Sequence, residues 1–357
     1  MKIKELQKIL VRENIDCAVF GPTTNMRYLL GYAPHADERL CLLIITPEDS
    51  QLIVPKLNAE DIAEHTDLPM ITWEDAEGPG KALEQSVLSR KSGRVTSFDG
   101  SMRADFLLTL LDLYAPERNV SADPLVAEMR VIKTPEEIEG LAAAAAQADR
   151  AMQAGVDACR PGITEAEVAW AVEEAFRKDG AEQVMFTLVA AGKNGALPHH
   201  SSGSMKMKAG DGIILDIGAS MKGYKSDITR AVFLGEPDKK FLEVHETVKT
   251  ANEAGRNAVK AGTAAEEVDR AARQVIAEAG YEEYFIHRTG HGLGLDIHET
   301  PWIMEGNRQI LKEGMVFSVE PGIYLPGKFG VRVEDIVAVE ESGHRLLTGF
   351  DHSLVIK

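Results

Sequence analysis

At 357 residues the chain is too long for one ordinary hydrophobic core, so its length predicts two domains. Its composition, 44% hydrophobic and 27% charged, is typical of a globular protein in water, and no apolar run is long enough to cross a membrane. The net charge of −17, with scattered Lys and Arg, argues against nucleic acid and anionic membranes as partners. The N-terminus lacks the features of a signal peptide, and the three cysteines lack CxxC spacing, which predicts free buried thiols in a cytoplasmic protein.

The first 125 residues alternate short helices and strands. A helical pattern over Ile3 to Arg12 precedes the apolar run Asp16–Phe20, and strand patterns follow at Leu40–Thr46 and Gln51–Pro55. This order predicts a small α/β domain with a mixed sheet. The stretch from Gly31 to Leu40 reads as an exposed loop that could reach a neighbouring subunit or the mouth of the other domain. Its polar residues include His35, Asp37, Glu38 and Arg39.

A helix start marks the domain boundary. Thr134-Pro135-Glu136-Glu137 combines an N-cap threonine, a proline at the first helical position and a glutamate that can close a capping box. The Ala-rich helix that follows is expected to run to about Cys159. The chain is therefore divided into residues 1–125, assigned to substrate access and dimerisation, and residues 126–357, assigned to catalysis.

The second domain contains an internal repeat. Residues Ala154–Gly180 align without gaps to Ala254–Gly280, and the glycines Gly162 and Gly262 match. Two Ala-rich helical hairpins can resemble each other by chance, but the gapless register favours an α+β domain built from two related halves. Strands that follow each helix pair are then expected to form a central curved sheet with the helices outside.

Two aspartates lie in a predicted β-hairpin, Asp211–Gly235. With the turn at Met221-Lys222, Asp216 is expected to face Asp227, and like charges opposite each other require a cation between them. Met-Lys is poor turn chemistry, so the register could also slip by one with Gly223 as a bulge. Two surface aspartates are the alternative, but the apolar residues before Asp216 fit it poorly.

Two glutamates follow in similar settings. Glu320 ends the strand-like stretch Met315–Glu320, and Glu334 lies within Val331–Val339, an apolar strand where a lone carboxylate needs a partner. Arg332 shares a face with Glu334, so a salt bridge between them is the alternative to a metal.

The Gly-rich stretch His287–Glu299 holds three histidines and is too rich in glycine for a regular helix or strand. A phosphate loop is the competing interpretation, but the stretch has no GK[ST] and opens no evident helix. With His291, the four carboxylates form a donor set of oxygens and one imidazole, which favours Mn²⁺, Co²⁺, Fe²⁺ or Zn²⁺. Two ions could share carboxylates and a bridging water, making hydroxide available near neutral pH. The five expected ligands are Asp216, Asp227, His291, Glu320 and Glu334.

The motifs LDIGASMKGYKSDITR (215–230), HRTGHGLGLDIHE (287–299), VEPGIY (319–324) and GVRVED (330–335) resemble those of the pita-bread metallopeptidases, family M24. Within them, the chain resembles the branch of Xaa-Pro dipeptidase (prolidase) and Xaa-Pro aminopeptidase over its whole length. The resemblance implies an α+β fold with a C-terminal pita-bread domain, like that of creatinase and aminopeptidase, and a smaller creatinase-type N-terminal α/β domain. It also implies a homodimer that acts on proline-containing dipeptides or short peptides.

The same resemblance implies roles for individual residues. Asp227 and Glu334 would bridge two divalent ions, with Mn²⁺ the first candidate, while Asp216 binds one ion and His291 the other. Glu320 would also serve as the proton shuttle for a metal-bridging hydroxide. The remaining assignments are His199 and His298 to substrate and charge stabilisation, His287 to the proline pocket, Arg332 to the metal surroundings and Tyr324 to the substrate site beside it.

Several related interpretations stay open at this point. A methionine-aminopeptidase-like enzyme would lack the separate N-terminal domain, a creatinase-like amidinohydrolase would lack the metal ligands, and a non-catalytic pita-bread module would have lost them. The dipeptidase is favoured over the aminopeptidase because there is only one short N-terminal domain. Arg39 could pair with a substrate carboxylate or be a surface charge.

Overall fold

The computed structural model describes residues 2–90 and 95–357 and divides into two compact units, Met1–Arg130 and Val131–Lys357. The last helix of the first unit packs within it, since the Tyr28 hydroxyl donates to the Met129 carbonyl at 2.8 Å. The unit therefore extends to Arg130. Across the described residues, no helix is both long and apolar enough to traverse a bilayer.

The first unit is built on one six-stranded mixed sheet. Its strands are β1 (Cys17–Phe20), β2 (Leu42–Ile45), β3 (Ser50–Pro55), β4 (Met70–Trp73), β5 (Val95–Phe98) and β6 (Arg118–Ser121). Their order in the sheet is β4-β3-β2-β1-β5-β6. Strand β2 is antiparallel to both β1 and β3, and the other pairs are parallel, which confirms the predicted small α/β domain. Its helices are α1 (Lys2–Arg12), α2 (Thr24–Leu30), α3 (Lys56–Ala63), α4 (Gly80–Gln85), α5 (Ala104–Tyr114) and α6 (Asp123–Arg130).

The second unit contains two five-stranded sheets and a separate two-stranded ribbon. Its strands are β7 (Gln183–Ala191), β8 (Gly212–Met221), β9 (Tyr224–Lys225), β10 (Ile228–Phe233), β11 (Gly290–Gly292), β12 (Glu299–Ile303), β13 (Val316–Val319), β14 (Gly322–Leu325), β15 (Phe329–Arg332), β16 (Asp335–Glu340), β17 (Gly343–Leu346) and β18 (Val355–Ile356). The ribbon consists of β14 and β15. One sheet has the order β18-β10-β8-β7, with β9 paired to β8, and the other has the order β12-β11-β13-β16-β17. The helices are α7 (Pro135–Ala158), α8 (Glu165–Lys178), α9 (Lys239–Asn257) and α10 (Ala265–Glu278).

The sequence repeat corresponds to two equivalent helix pairs, α7–α8 and α9–α10. Gly162 and Gly262 both adopt a positive φ, 90° and 89°, in the turn between the helices of each pair. Their N–H groups donate to the carbonyls of Met207 and Leu311, which gives each turn the same attachment to the chain beside it. The glycines recur because this left-handed conformation is unfavourable for residues with a Cβ. The predicted capping box is also present, since Thr134 and Glu137 exchange hydrogen bonds.

The two halves are joined by a backbone bridge as well as by side-chain contacts. Thr229 of β10 forms an isolated antiparallel bridge with Glu334, and the Glu334 N–H donates to the Thr229 carbonyl at 3.2 Å. Buried apolar side chains of α7 and α8 pack on the first sheet, and those of α10 pack on the second. This arrangement brings the ends of several strands together at the junction of the sheets.

The close approach of α7 to α8 gives a stability prediction. A Cβ on Gly155 would lie 2.7 Å from Cγ2 of Val172, so Gly155→Val forces the two helices apart. Overpacking of this kind costs about 1–3 kcal/mol of unfolding free energy. Denaturant unfolding would measure the loss. The exposed Gln153→Val on the same helix is the control, and an equal loss in both variants would contradict the packing explanation.

Candidate metal centre

The hairpin of β8 and β10 places Asp216 and Asp227 on one face, but in a different register from the predicted one. Asp216 faces Thr229 rather than Asp227, which is its diagonal neighbour. The predicted register was wrong because the turn lies at Lys222-Gly223, where φ is 50° and 86°, and not at Met221-Lys222. Positive φ at both turn residues is typical of a type I′ hairpin turn, which matches the twist of the strands. The two carboxylates still converge.

The two glutamates lie at breaks between strands. Glu320 follows β13, where its N–H donates to the Thr289 carbonyl at 2.7 Å. Glu334 lies between β15 and β16 at the junction of the sheets, so the continuous strand predicted over Val331–Val339 is in fact split. The salt bridge considered for Glu334 is absent among the described residues, because Arg332 pairs with Asp216 instead.

His291 projects from β11, a short strand inside the Gly-rich stretch. The structure corrects the expectation of no regular strand there: the flanking glycines permit close contact with neighbouring strands. A Cβ on Gly290 would lie 1.8 Å from the Ser318 carbonyl oxygen. Nδ1 of His291 lies 3.1 Å from the Gly292 carbonyl oxygen and donates to it, so Nε2 is the nitrogen that faces the carboxylates. Nε2 lies 3.2 Å from Oε1 of Glu320 and 3.8 Å from Oδ2 of Asp227.

The donor set fits a divalent cation. Ligand atoms from Asp227, His291 and Glu334 lie within 4.8 Å of one another, and all three side chains are buried. Oδ1 of Asp216 and Oε1 of Glu334 are buried and have no hydrogen-bond partner among the described residues. A buried carboxylate oxygen without a partner is costly, so these atoms are positioned for a positive charge.

The pKa values of the carboxylates also indicate a cation site. Burial, followed by the charges of Glu334 and Asp216, raises the pKa of Asp227 well above its usual value. Burial and the charge of Glu320 likewise raise the pKa of Glu334. Burial alone would also raise the pKa of Glu320, but its hydrogen bond to His291 holds that pKa at about 2. Without a cation, the cluster therefore resists full ionisation.

Arg332 orders the polar groups around the cluster. Its three nitrogens donate to Asp216, to the Tyr324 hydroxyl at 2.7 Å and to the Thr229 hydroxyl at 3.1 Å. Because arginine only donates, the Thr229 hydroxyl must direct its own proton to Oε2 of Glu334, 2.7 Å away. This leaves Oε1 of Glu334 as the oxygen available to a cation.

A cavity of about 800 Å³ opens onto these side chains. All five expected ligands line it, as do His199, His287, His298 and Arg332. Tyr324 does not line it. Its buried hydroxyl lies 2.9 Å from Nε2 of His287 and accepts from Arg332, so Tyr324 contacts two residues of the cavity wall without lining the cavity itself.

The histidines of the cavity are held differently. His298 packs edge-on against His291, with ring centroids 4.2 Å apart, and partial burial together with the charge of His291 lowers its pKa to about 4. His298 is therefore neutral near pH 7. His199 is exposed in the loop after a 3-10 helix, Gly192–Ala196, while its neighbour His200 pairs with the buried Glu165 at 2.8 Å.

Several residues of this site were not predicted from the sequence. Thr229 and Ser318 each lie two positions from a carboxylate, Asp227 and Glu320, so strand alternation could have identified both. Ser318 donates from Oγ to Oε1 of Glu320 at 3.1 Å. Arg288 also lines the cavity, and its position beside His287 was the one available signal.

Together, the two-unit fold and the carboxylate–histidine cluster define a metallohydrolase. Residues 139–341 match the metallopeptidase family M24, and residues 2–132 match the creatinase/prolidase N-terminal domain. The chain belongs to metallopeptidase family M24, whose members use divalent metal ions. The resemblance to this family and the predicted fold class are therefore both confirmed.

Several relatives align with this chain over nearly its whole length. The chain is 34% identical to Xaa-Pro dipeptidase of Pyrococcus furiosus, with 99% of each chain aligned. It superimposes on a dipeptidase of Pyrococcus horikoshii with a TM-score of 0.96, 39% identity and full coverage of both chains. An X-Pro aminopeptidase of Thermotoga maritima gives a TM-score of 0.84 at 32% identity, covering 96% of this chain and 98% of its own.

The raised carboxylate pKa values predict how the metal-free protein responds to pH. Because the folded-state pKa of Asp227 and of Glu334 exceeds the unfolded value, their contribution to stability is present at low pH and is lost as pH rises through the folded-state pKa. In chelator, we expect the urea midpoint of the wild type to fall more steeply from about pH 5 to about pH 8 than that of Glu334→Gln. The exposed Glu340→Gln is the control and should follow the wild type. If the urea midpoint fell equally with pH in all three proteins, the proposed repulsion among the buried carboxylates would be contradicted.

Proposed function

We propose that the protein is an Xaa-Pro dipeptidase that hydrolyses the bond before proline with the help of divalent metal ions. The observation that carries the proposal is the convergence of four carboxylates and one imidazole on a single cavity, with two buried carboxylate oxygens left without a partner. Full-length similarity to an Xaa-Pro dipeptidase supports the choice of reaction within the family.

Two ions are proposed, with Mn²⁺ the first candidate because carboxylates and a single imidazole suit it. Asp227 and Glu334 would be shared by both ions, Asp216 would bind one, and His291 and Glu320 would complete the set. When bound, the ions would polarise the scissile carbonyl and lower the pKa of a water molecule. Co²⁺, Zn²⁺ and Fe²⁺ suit the same donors.

The protein's own groups would manage the proton and the developing charge. Glu320, open to the cavity, would accept a proton from the attacking water on its carboxylate and deliver it to the departing prolyl nitrogen. His298 and His199 lie on the cavity wall, where each can donate an N–H to the carbonyl oxygen as negative charge develops on it. Arg332 and Tyr324 would act as positioning residues through Asp216, Thr229 and His287.

The cavity also suits a proline ring. Phe186, Leu188 and Ile297 give it apolar walls. An Xaa-Pro bond has no N–H, so a site that depends on water activation rather than on that donor can cleave it.

The proposal includes a homodimer in the cytoplasm. The dimer rests on the family resemblance alone, and the N-terminal unit is proposed to serve in dimerisation and substrate access. Cys17, Cys41 and Cys159 are buried free thiols in the structure, which supports a reducing compartment.

Hydrolysis of Ala-Pro tests the proposed function. After chelator treatment and addition of Mn²⁺, we expect the protein to release alanine and proline from Ala-Pro and to act more slowly on Ala-Pro-Ala. Glu320→Gln should reduce kcat on Ala-Pro about 10²–10⁴-fold, because it removes the group that moves the proton. Amino-acid release, followed by chromatography, measures both effects.

Failure to cleave either peptide with Mn²⁺, Co²⁺, Zn²⁺ or Fe²⁺ would exclude the peptidase. Rapid cleavage of the tripeptide would instead favour the Xaa-Pro aminopeptidase, the second candidate, and activity retained by Glu320→Gln would remove that residue from catalysis.

A further inference from the structure

Among the residues that the structure describes, one cation on the cavity wall has no acidic partner. Arg288 lines the cavity, and its guanidinium makes no hydrogen bond or ion pair with any residue of the described ranges 2–90 and 95–357. Arg332, the other arginine of the cavity, is fully engaged by Asp216, Tyr324 and Thr229. Arg288 is therefore the arginine of this cavity that is free to meet an anion.

The position of Arg288 is fixed relative to the metal centre. Its guanidinium lies 4.4 Å from the centre of the Trp302 ring. Trp302 is paired directly with His291 between β12 and β11, so its side chain is on the same face of the sheet as that of His291. Stacking on an indole holds the planar guanidinium in place while its N–H edge stays free to donate.

The loop that carries Arg288 is itself anchored. Asp269 of α10 accepts hydrogen bonds from the N–H and the hydroxyl of Thr289, at 3.1 and 2.7 Å. The Arg288 carbonyl lies 2.7 Å from Nδ1 of His287, whose Nε2 meets the Tyr324 hydroxyl. The backbone on both sides of Arg288 is thus held, and its side chain extends from a fixed point beside the cluster.

An alternative cation, considered from the sequence, is already engaged. Arg39 of the N-terminal unit donates to Asp75 from two nitrogens and also contacts Asp37 and Glu38. A guanidinium neutralised by three carboxylates has little attraction left for a fourth. Arg39 of this chain is therefore a weaker candidate than Arg288 for binding an anion.

We propose that Arg288 binds the C-terminal carboxylate of the Xaa-Pro substrate and thereby selects dipeptides over longer peptides. This inference rests on the proposed function. In a dipeptide, the proline carboxylate carbon is three bonds from the scissile carbonyl carbon, so the two are no more than about 4 Å apart. A receptor for that carboxylate must consequently lie beside the metal centre, where Trp302 and His291 place Arg288.

The chemistry explains the selection by length. An Arg–carboxylate pair has two parallel charged hydrogen bonds, which a neutral amide cannot reproduce. In a tripeptide, the proline carboxylate is replaced by a peptide bond. The longer peptide then leaves the Arg288 charge unpaired in the cavity and loses that attraction.

The test compares Ala-Pro with its C-terminal amide, Ala-Pro-NH₂, on the Mn²⁺-loaded full-length protein. We expect the wild type to prefer the free acid. Arg288→Met should raise KM for Ala-Pro about 10- to 100-fold, change kcat less, and remove the preference for acid over amide. Arg288→Lys, which keeps the charge, should restore part of that preference. Arg308→Met is the control, because the Arg308 side chain is 89% exposed and lies outside the cavity.

The acid-to-amide preference is the decisive readout, since a general loss of structure would lower both activities together. A wild type that cleaves both substrates equally, or an Arg288→Met variant that keeps the preference, would overturn the role of Arg288 while leaving the dipeptidase intact. A wild type that cleaves neither substrate would contradict the proposed dipeptidase function itself. Should Arg288→Met unfold, Arg288→Gln supplies the same comparison with a polar side chain.

Discussion

The repulsion among four carboxylates that line one cavity is the constraint on which the rest of the second unit depends. Asp227 and Glu334 are almost completely buried, and each has its pKa raised by burial and by neighbouring acids. A fold optimised for stability alone would not retain such a cluster, because unpaired buried charge is among the most costly features of a protein interior. The cluster is explained if cations normally neutralise it.

The residues of this carboxylate cluster come from both of the similar halves of the second unit. The hairpin of β8 and β10 supplies the aspartates, and the second sheet supplies His291 and the glutamates, with contact between the halves at Thr229 and Glu334. Helix pairs outside each sheet provide the apolar burial that offsets the cost. Arg332 neutralises part of the charge and, through Thr229, decides which oxygen of Glu334 stays free. The contacts of Arg332 and Thr229 therefore determine both the geometry and the charge of the carboxylate cluster.

Much of this arrangement could be predicted from the sequence, because its signals are local. The N-cap Thr134, the recurring Gly162 and Gly262, and acids inside apolar stretches each have a physical meaning that does not depend on distant residues. The five expected ligands do meet in one cavity, although their individual roles stay proposals.

What could not be predicted depends on tertiary contacts. The hairpin register differs because Lys222 accepts a positive φ in the turn, against its usual preference, and this moves Asp216 opposite Thr229. The strand expected around Glu334 is split because its two parts join different partners, β14 and β13. The lack of an ion pair at Arg288 cannot be predicted from the sequence, since only the structure shows that no acid in residues 2–90 and 95–357 pairs with it.

Calorimetric titration of Mn²⁺ into chelator-stripped protein tests the central claim most directly. We expect saturable binding of two ions by the wild type, and loss of at least one of them in Asp227→Asn, where a shared ligand has lost its charge. Absence of binding by the wild type, or identical binding by the two proteins, would contradict a cation-neutralised cluster at this site.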